Sequence, residues 1–573
     1  MVKRMVAGLG HRGPDGEAFV TRGAAVFGFS HLAITSTRGR VPQPIASDDG
    51  SILIVVNGEV YNHAELIEHH KLKVSGDGGD CDVLLPLYER HGVKMLKHLD
   101  GVFSIAIHDR RSETTYLITD HAGKQPLFYY HRHDELLFCS ELGPLAAGVR
   151  DRALTIDRTA IVWFLRYRVI PGPYTAYREI RKAQPGRVME FKRGVKISDS
   201  SYVDSNRFFD KVDQSFEESC DHLESLLHDA VAKRLDLAPD YGCALSGGLD
   251  SSIIAAMMAE QGGRGFKTFS ISFDDPELNE RHFAESAARH IGSDHHDFCI
   301  TPERVLNDLP KILGHFGEPF GFPSGIGCYY LYKMVHEHGL RVAFTGDGSD
   351  EFLGGFPRHA AVCTAARGGR AQFIETYGEL LAEGFSATDL RRLLDDARLG
   401  LGDAFDFNRL LRLNDPREPH PHPLDLSLYF DSQIWFADAQ LVKIDRASMA
   451  NSVELRCPFI DRAVQDFMCR LPPAFKIQHG VEKRILKEIA KKYLPAEIVD
   501  RKKLPFTLPL ESWLTGKARR HIQATLLSEA ALDRGLFDAD QLRATVNQYT
   551  YADAYPIWTL YVLETWFMLQ DVS

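Results

Sequence analysis

The chain has 573 residues, 44% hydrophobic and 25% charged, which excludes a disordered, collagen-like or coiled-coil polypeptide and leaves room for several folded units. Lys and Arg total 67 against 78 Asp and Glu, a net charge of −11 with His neutral; this excludes a general nucleic-acid or anionic-membrane binder, whose affinity begins with phosphate neutralisation. No apolar run approaches the roughly 20 residues of a membrane span, and Lys3 and Arg4 are not followed by an apolar signal segment, so the expected address is the cytosol.

Residues 1 to about 200 read as short β runs separated by Gly, Pro and Asn, at 24–30, 51–59, 101–109, 114–120 and 126–131, with Asp82–His91 the clearest helix. They predict a layered, mostly antiparallel sheet. A polar stretch at 193–215 precedes a helical period at Leu223, Leu226, Leu227, Ala230, Val231 and Leu235. The domain boundary is placed there, giving one domain over 1–205 and a second over 206–573. From Tyr241 onward apolar strands alternate with helices: 241–246 and a helix from Ser251, 266–273 and a helix from Arg281, 296–300 and a helix over Thr301–Leu313, then 341–346. Such alternation predicts an α/β class with a parallel sheet covered on both faces. Residues from about 370 onward read as helical. The nine Cys are scattered without a Cys-x-x-Cys pair and read as reduced, buried thiols.

The sharpest chemical signal is Ser246-Gly247-Gly248-Leu249-Asp250-Ser251-Ser252, between the strand ending at Leu245 and an apolar-periodic helix. A glycine-rich turn feeding a helix N-terminus offers unpaired N–H groups and a positive dipole end to an anion. Asp250 would be repelled by a bare phosphate, so the loop implies a bridging divalent cation. The plainer alternative is a Gly-Gly turn that merely caps a helix. The pattern is not Gly-x-x-x-x-Gly-Lys-Ser/Thr; it resembles the pyrophosphate loop of enzymes that split ATP between its α and β phosphates. A second turn, Thr345-Gly346-Asp347-Gly348-Ser349-Asp350-Glu351, follows another apolar strand and precedes Gly354-Gly355. Two such loops at the carboxyl ends of parallel strands would face one crevice. Three acids in five residues call for a neutralising cation, and Asp250 and Asp350 are expected to hold Mg²⁺.

With Lys443-Ile444-Asp445-Arg446-Ala447-Ser448 running on to Asp461, the chain resembles the asparagine synthetase B family over nearly its whole length. Further matches are His11-Arg12-Gly13-Pro14-Asp15-Gly16, Asn57-Gly58-Glu59-Val60-Tyr61-Asn62, Gly79-Asp80-Cys81-Asp82, Ser140-Glu141, Glu482-Lys483-Arg484-Ile485-Leu486 and Arg501-Lys502-Lys503. The resemblance implies an N-terminal-nucleophile (Ntn) glutamine amidotransferase type 2 domain in αββα layers, here lacking its first strand. It implies next a PP-loop ATP pyrophosphatase domain with a parallel sheet and a helical C-terminal part. It also implies an ATP-dependent reaction in which a carboxylate, foremost the aspartate side chain, becomes an acyl-adenylate and is attacked by ammonia, giving asparagine, AMP and pyrophosphate. Carried over by motif, Ser246 to Ser252 form the phosphate loop, and Ala244, Leu245, Ile271, Thr345 and Gly346 lie near the nucleoside. Asp250 and Asp350 are the metal acids. Asp347 takes the acidic position tied to intermediate formation and ammonia deprotonation, and Lys483 the lysine that meets the phosphates.

The front half departs from the family. Its glutaminase uses a first-residue Cys whose own α-amino group is the base; here the sequence opens Met1-Val2-Lys3-Arg4 and its first Cys is Cys81. As written it is not expected to perform that step, with a misassigned start and a true loss both open. His31 stands where the family carries an Arg that clamps the glutamine carboxylate, and a His is shorter and mostly neutral at pH 7. Asn57, Gly58, Glu59 and Asp80 match the oxyanion and glutamine-amine positions, so a glutamine pocket, working or remnant, is expected. Gly317-Glu318-Pro319 and Pro505-Phe506-Thr507 also differ from the family pattern and are expected near the acceptor side. The expected cofactors are ATP and Mg²⁺. The expected partners are small molecules, a carboxylate such as aspartate with ammonia or glutamine, without nucleic acid or membrane; a homodimer stays open. Three alternatives stand beside this: a Cys-less relative of the β-lactam synthetase or lasso-peptide cyclase kind, a nucleotide-binding pseudoenzyme, and a PP-loop tRNA-modifying enzyme.

Overall fold

A computed structural model describes the chain except for residues 35–41, 75–78, 276–278, 366–369, 395–409, 411–421, 504–505, 517 and 571–573. In the front half, helix α1 (Val2–Ala7) leads into strands β1 (Gly16–Arg22), β2 (Ala25–His31), β3 (Ile45–Ala46) and β4 (Ile52–Val60). Helices α2 (His63–His70) and α3 (Leu84–His91) follow. Next come β5 (Gly101–Asp109), β6 (Thr114–Thr119), β7 (Phe128–Arg132), β8 (Glu135–Cys139), β9 (Ile180–Lys182), β10 (Arg187–Lys192) and β11 (Val195–Ser201). Six of these strands form an antiparallel sheet in the order β11-β10-β6-β5-β4-β3; β1 pairs with β2, and β8-β7-β9 form a third sheet.

The layering follows from the period of 2 in β4 and β5, because successive side chains leave a strand on opposite faces. Ile52, Ile54 and Val56 pack with Ile105 and Ile107 beneath the helix residues Leu66, Leu84 and Leu87. Their alternates Leu53 and Ala106 pack with Phe27, Leu127 and Tyr129 of the other sheets. A strand so buried reads as a continuous apolar run, which is why 51–59 and 101–109 stand out in the sequence. The late strands β8 to β11 and the hairpin strand β1 are more polar and escape that pattern.

In the back half, Ser215 caps helix α4 (Phe216–Asp236) in a reciprocal capping box with Glu218, so the helix starts a turn and more before the apolar period at Leu223. The sheet of this half contains β12 (Tyr241–Ala244), β13 (Lys267–Phe273), β14 (Asp294–Ile300), β15 (Val342–Phe344) and β16 (Glu454–Arg456), all parallel, in the order β14-β13-β12-β15-β16. The intervening helices are α5 (Leu249–Gly262), α6 (Arg281–Ile291), α7 (Pro302–Phe316) and α8 (Ser324–Glu337). The chain steps outward from β12 to β14, then crosses back to lay β15 on the other side of β12. That reversal opens a crevice at the carboxyl ends of β12 and β15, where doubly wound sheets bind ligands. The strand β16 corrects the all-helical expectation for the last two hundred residues; at three residues it is too short to show a period. No helix among the described residues is long and apolar enough to cross a membrane.

The two halves share a buried ionic seam. Arg12 forks onto Asp445, Nη1 to Oδ2 at 2.8 Å and Nη2 to Oδ1 at 2.9 Å, and reaches Glu141 Oε1 at 3.0 Å. Arg446 Nη1 lies 3.1 Å from both Glu141 and Asp445. Burial opposes ionisation of Glu141, yet Arg446, His11 and Arg12 outweigh it and hold the carboxyl well below its ordinary range. Lys182 Nζ lies 2.7 Å from Glu318 Oε1. Glu318 is therefore a buried partner of the front half and does not line the back cleft, which corrects the expectation that it stands on the acceptor side. Pro505 lies outside the described residues, whereas Phe506 and Thr507 do line the cleft. Cys299 is exposed and Cys363 half-buried; the other seven thiols are buried, and none of the nine is in a disulfide.

Removing one charge from a buried pair leaves its partner desolvated and unmatched, a loss of about 3–5 kcal/mol. Asp445→Ala should therefore lower the denaturant midpoint of the whole chain sharply, whereas Arg4→Ala, which removes only an exposed pair with Asp151, should leave it within error.

Candidate active site

The turn after β12 and the turn after β15 pack against each other. A Cβ added to Gly346 would lie 2.6 Å from the carbonyl carbon of Asp250 and 2.7 Å from Ser251 N, so the second loop touches the first only because residue 346 has no side chain. Helix α5 begins here with Gly248 as its cap and no side chain bonded to its first N–H groups. Those N–H groups and the dipole end face the cleft. Ser246 and Ser251 brace the loop from within: their hydroxyls lie 3.2 Å apart, and Ser246 Oγ accepts from Gly248 N–H at 3.2 Å.

The cleft has a volume of ≈ 1210 Å³, beyond the roughly 300–1,000 Å³ of a typical ligand pocket, and so has room for a nucleotide and a second substrate. Ala244, Leu245, Ser246, Gly248, Leu249, Asp250, Ser251, Ile271, Thr345, Gly346, Asp347, Asp350 and Lys483 all line it. Gly247 and Ser252 do not. Gly247 lies beneath the loop, where its carbonyl accepts from Arg501 Nη1 at 3.0 Å. Ser252 is fully buried and its N–H is bonded to Gly248 O, so it supports the loop from the core side.

At the mouth between the loops stands Lys483. Its Nζ is 2.6 Å from both carboxylate oxygens of Asp250 and 2.5 Å from Asp350 Oδ1, and Lys503 also pairs with Asp350. Burial would lower the Lys483 pKa, but Asp250 and Asp350 outweigh it and raise it, so the ammonium is permanent. By the same balance Lys483 and Lys503 hold Asp350 ionised despite its burial. Lys483 takes a left-handed backbone, φ +51, a conformation that a non-glycine residue keeps only when its surroundings enforce it. Gly355 makes room for it: a Cβ there would meet Asp350 Oδ1 at 1.9 Å and Lys483 Cε at 2.1 Å. Glu351 is the contrasting acid. It is buried, and desolvation with the nearby charges of Asp350 and Asp347 pushes its carboxyl up to about 8, so it carries a proton at pH 7.

The motifs point to Lys483, Asp250 and Asp350, but their convergence across more than two hundred residues is not legible in spacing. Sequence reasoning gave no role to Glu351, Gly355, Arg501 or Lys503. All four sit in segments already noted, and for Glu351 and Gly355 the signal is the company of glycines and acids from Glu351 to Gly355.

A second cavity, ≈ 220 Å³, lies in the front half, lined by His31, Asn57, Gly58, Glu59, Asp80 and Cys81 together with other residues of β2 and residues of β8. Asp80 accepts from Val60 N–H at 2.6 Å, and burial raises its carboxyl above the ordinary range. Asn57 Nδ2 donates to Gln125 Oε1 at 3.2 Å. Burial lowers the His31 pKa, so the ring is neutral at pH 7 and offers no fixed cation. Burial also drives the Cys81 thiol far above its usual value, which leaves it inert as a nucleophile. Glu59 is ion-paired with buried Arg456, whose own backbone carbonyl accepts from Thr345 N–H at 3.0 Å. One residue of β16 thus pairs through its side chain with Glu59, a wall residue of the front cavity, and through its backbone with the acidic loop.

Comparison with known proteins agrees with this two-part arrangement. Residues 1–203 match the family model described as a glutamine amidotransferase domain, and residues 222–568 the one described as asparagine synthase. The chain is 27% identical over 560 residues to glutamine-hydrolyzing asparagine synthetase 1 of Bacillus subtilis (strain 168), covering 93% of this chain and 87% of that protein. It is 26% identical over 555 residues to asparagine synthetase 2 of the same strain, covering 91% and 71%. It is also 25% identical over 621 residues to the amidase chyE of Penicillium rubens, covering 94% and 89%. With an Ntn amidotransferase-type front half, a PP-loop back half on a parallel sheet, and more than half of its length inside the synthase model, the chain belongs to the asparagine synthase family.

Proposed function

We propose that this ATP-dependent ligase activates the side-chain carboxylate of aspartate as an acyl-adenylate and passes ammonia to it, releasing asparagine, AMP and pyrophosphate. The observation that carries the proposal is Lys483 Nζ, buried within 2.6 Å of Asp250 and 2.5 Å of Asp350 where the two strand tips meet. We place the boundary between the amidotransferase and synthetase halves at 205/206.

In the proposed sequence a carboxylate oxygen attacks the α-phosphorus and the bond to the pyrophosphate oxygen breaks. Negative charge grows on the α-phosphoryl oxygens and on the leaving group. The N–H groups at the start of α5 and the ammonium of Lys483 are set to receive it before it forms, the arrangement that lowers such barriers most. Ser246, Gly248, Leu249 and Ser251 hold the phosphates, and Ala244, Leu245, Ile271, Thr345 and Gly346 the nucleoside. Ammonia then attacks the acyl carbon, AMP leaves, and the surplus proton passes to Asp347. Two carboxylates from different loops already share one cation at Lys483, so the donor set fits a divalent ion. Asp250 and Asp350 would hold Mg²⁺, which supplies neutralisation of the phosphate charge. Free ammonia is the proposed nitrogen source, with glutamine as the occupant of the front cavity if that half is active.

Incubation with ATP, Mg²⁺, aspartate and ammonium should yield AMP, pyrophosphate and asparagine in equal amounts. Absence of AMP with every carboxylate tried would leave a nucleotide-binding protein without ligase activity, and AMP formed only with a different acceptor would reject aspartate. Lys483→Ala should cut AMP formation by about 10²–10³, the usual loss on deleting one preorganised charge-stabilising donor. Gly355→Ala should match it, because the added methyl displaces Lys483.

Glu351 is predicted to shape the pH dependence of stability. Its folded carboxyl keeps its proton to about pH 8, well past the ordinary carboxylate value, so its contribution is full at low pH and is lost as pH rises through 8. Denaturant midpoints at pH 6 and pH 8.5 should therefore differ less in Glu351→Gln than in the parent, and AMP formation at pH 7 should stay within about threefold, since the amide mimics the protonated acid. A tenfold loss at pH 7 would mean that an ionised carboxylate is needed there.

A further inference from the structure

We infer that His70, His91 and His98 form a binding site for a divalent transition-metal ion of the zinc, cobalt, nickel or copper class, on the outer helical layer of the front half. His70 is the last residue of α2, His91 the last of α3, and His98 follows the 3₁₀ turn Gly92–Lys97, so three separate elements end at one point. Their ring centroids are 5.2 Å (His70–His91), 4.9 Å (His70–His98) and 5.1 Å (His91–His98) apart. One ring nitrogen from each lies within 4.8 Å of the others. None of the three lines either cavity.

The second observation is polar. Among the described residues, Nε2 of His70 and Nε2 of His91 are buried and have no hydrogen-bond partner. Buried ring nitrogens normally find a donor, an acceptor, a water or an ion, and an unmet pair aimed at a third imidazole calls for one of these. A neutral imidazole has the lone pair that a metal needs and a proton would block. All-nitrogen donors select transition metals over Mg²⁺ or Ca²⁺, which prefer oxygen. Tetrahedral zinc at its usual bond length of about 2.0–2.1 Å sets donor nitrogens roughly 3.4 Å apart. Closing the present spacing of up to 4.8 Å to that value takes rotation of the rings, of which the exposed His98 is the least confined. Arg90 Nη1 already donates to His70 O at 2.5 Å, tying the end of α2 to α3. The metal would add a cross-link from both helices to the turn that follows, a structural role independent of the ligase reaction.

The test uses the full chain, stripped with a chelator and titrated with Zn²⁺ or Co²⁺. The expected result is one equivalent of Co²⁺ bound with the visible absorption of a nitrogen-ligated, low-symmetry site, and a melting temperature raised by several degrees with Zn²⁺. His98→Ala, which alters an exposed side chain and leaves the fold intact, should weaken binding at least tenfold and abolish the melting shift, with Mg²⁺-supported AMP formation unchanged. His91→Ala should do the same to binding. Equal metal uptake and an equal melting shift in His98→Ala and the parent would overturn the site, as would no Co²⁺ absorption above the buffer in the parent.

Discussion

A single ammonium held between two carboxylates organises the active cleft. Lys483 comes from the far end of the chain, Asp250 from the tip of β12 and Asp350 from the tip of β15, and their meeting is what makes two turns into one site. A buried charge without partners costs several kcal/mol, so three such groups persist only together. The rest of the cleft accommodates that demand. Gly346 lets the loops touch, Gly355 admits the lysine stem, and the backbone of Lys483 stays left-handed to aim it. The same charge balance has a chemical use, because a phosphate entering the cleft exchanges one set of negative oxygens around Lys483 for another. Neighbouring acids are split in role by environment: Asp350 is held ionised by two lysines, while Glu351, one residue on, is held protonated by burial and by the charges of Asp350 and Asp347.

The front half is bound to this cleft by more than a linker. Arg12, Glu141, Asp445 and Arg446 form a buried seam, and the apolar core continues from Met5, Tyr61 and Trp163 into Leu223, Ile253 and Phe344. Arg234 lies over the Tyr61 ring at 4.2 Å, a cation–π contact in a desolvated place. Arg456 links the two cavities most directly, since its side chain neutralises Glu59 while its carbonyl fixes Thr345.

Much of this was legible in the sequence where burial and turn chemistry leave a local mark. Strands β4, β5, β12 and β13 are apolar enough to be seen, and the two glycine-rich turns announce themselves by sitting after strands. Strand order is not local. That β15 lies beside β12, which brings the turns to one crevice, depends on the return of the chain across the sheet, and no spacing encodes it. Short or polar elements were missed for the same reason, β16 among them. Glu318 shows the limit of motif comparison: it stands in a tripeptide that departs from the family pattern at Gly317, and it is a buried partner of Lys182. The ends of α2, α3 and the following turn each carry a histidine that means nothing singly; only the fold makes them neighbours.

The most direct test of the cleft's chemistry follows an oxygen atom. Aspartate carrying ¹⁸O in its side-chain carboxylate is turned over with ATP, Mg²⁺ and ammonium, and the AMP is weighed by mass spectrometry. Attack of the carboxylate on the α-phosphorus predicts one ¹⁸O in the phosphate of each AMP formed. Unlabelled AMP, or ADP in its place, would contradict a nucleotide held with its α-phosphorus between the two strand tips.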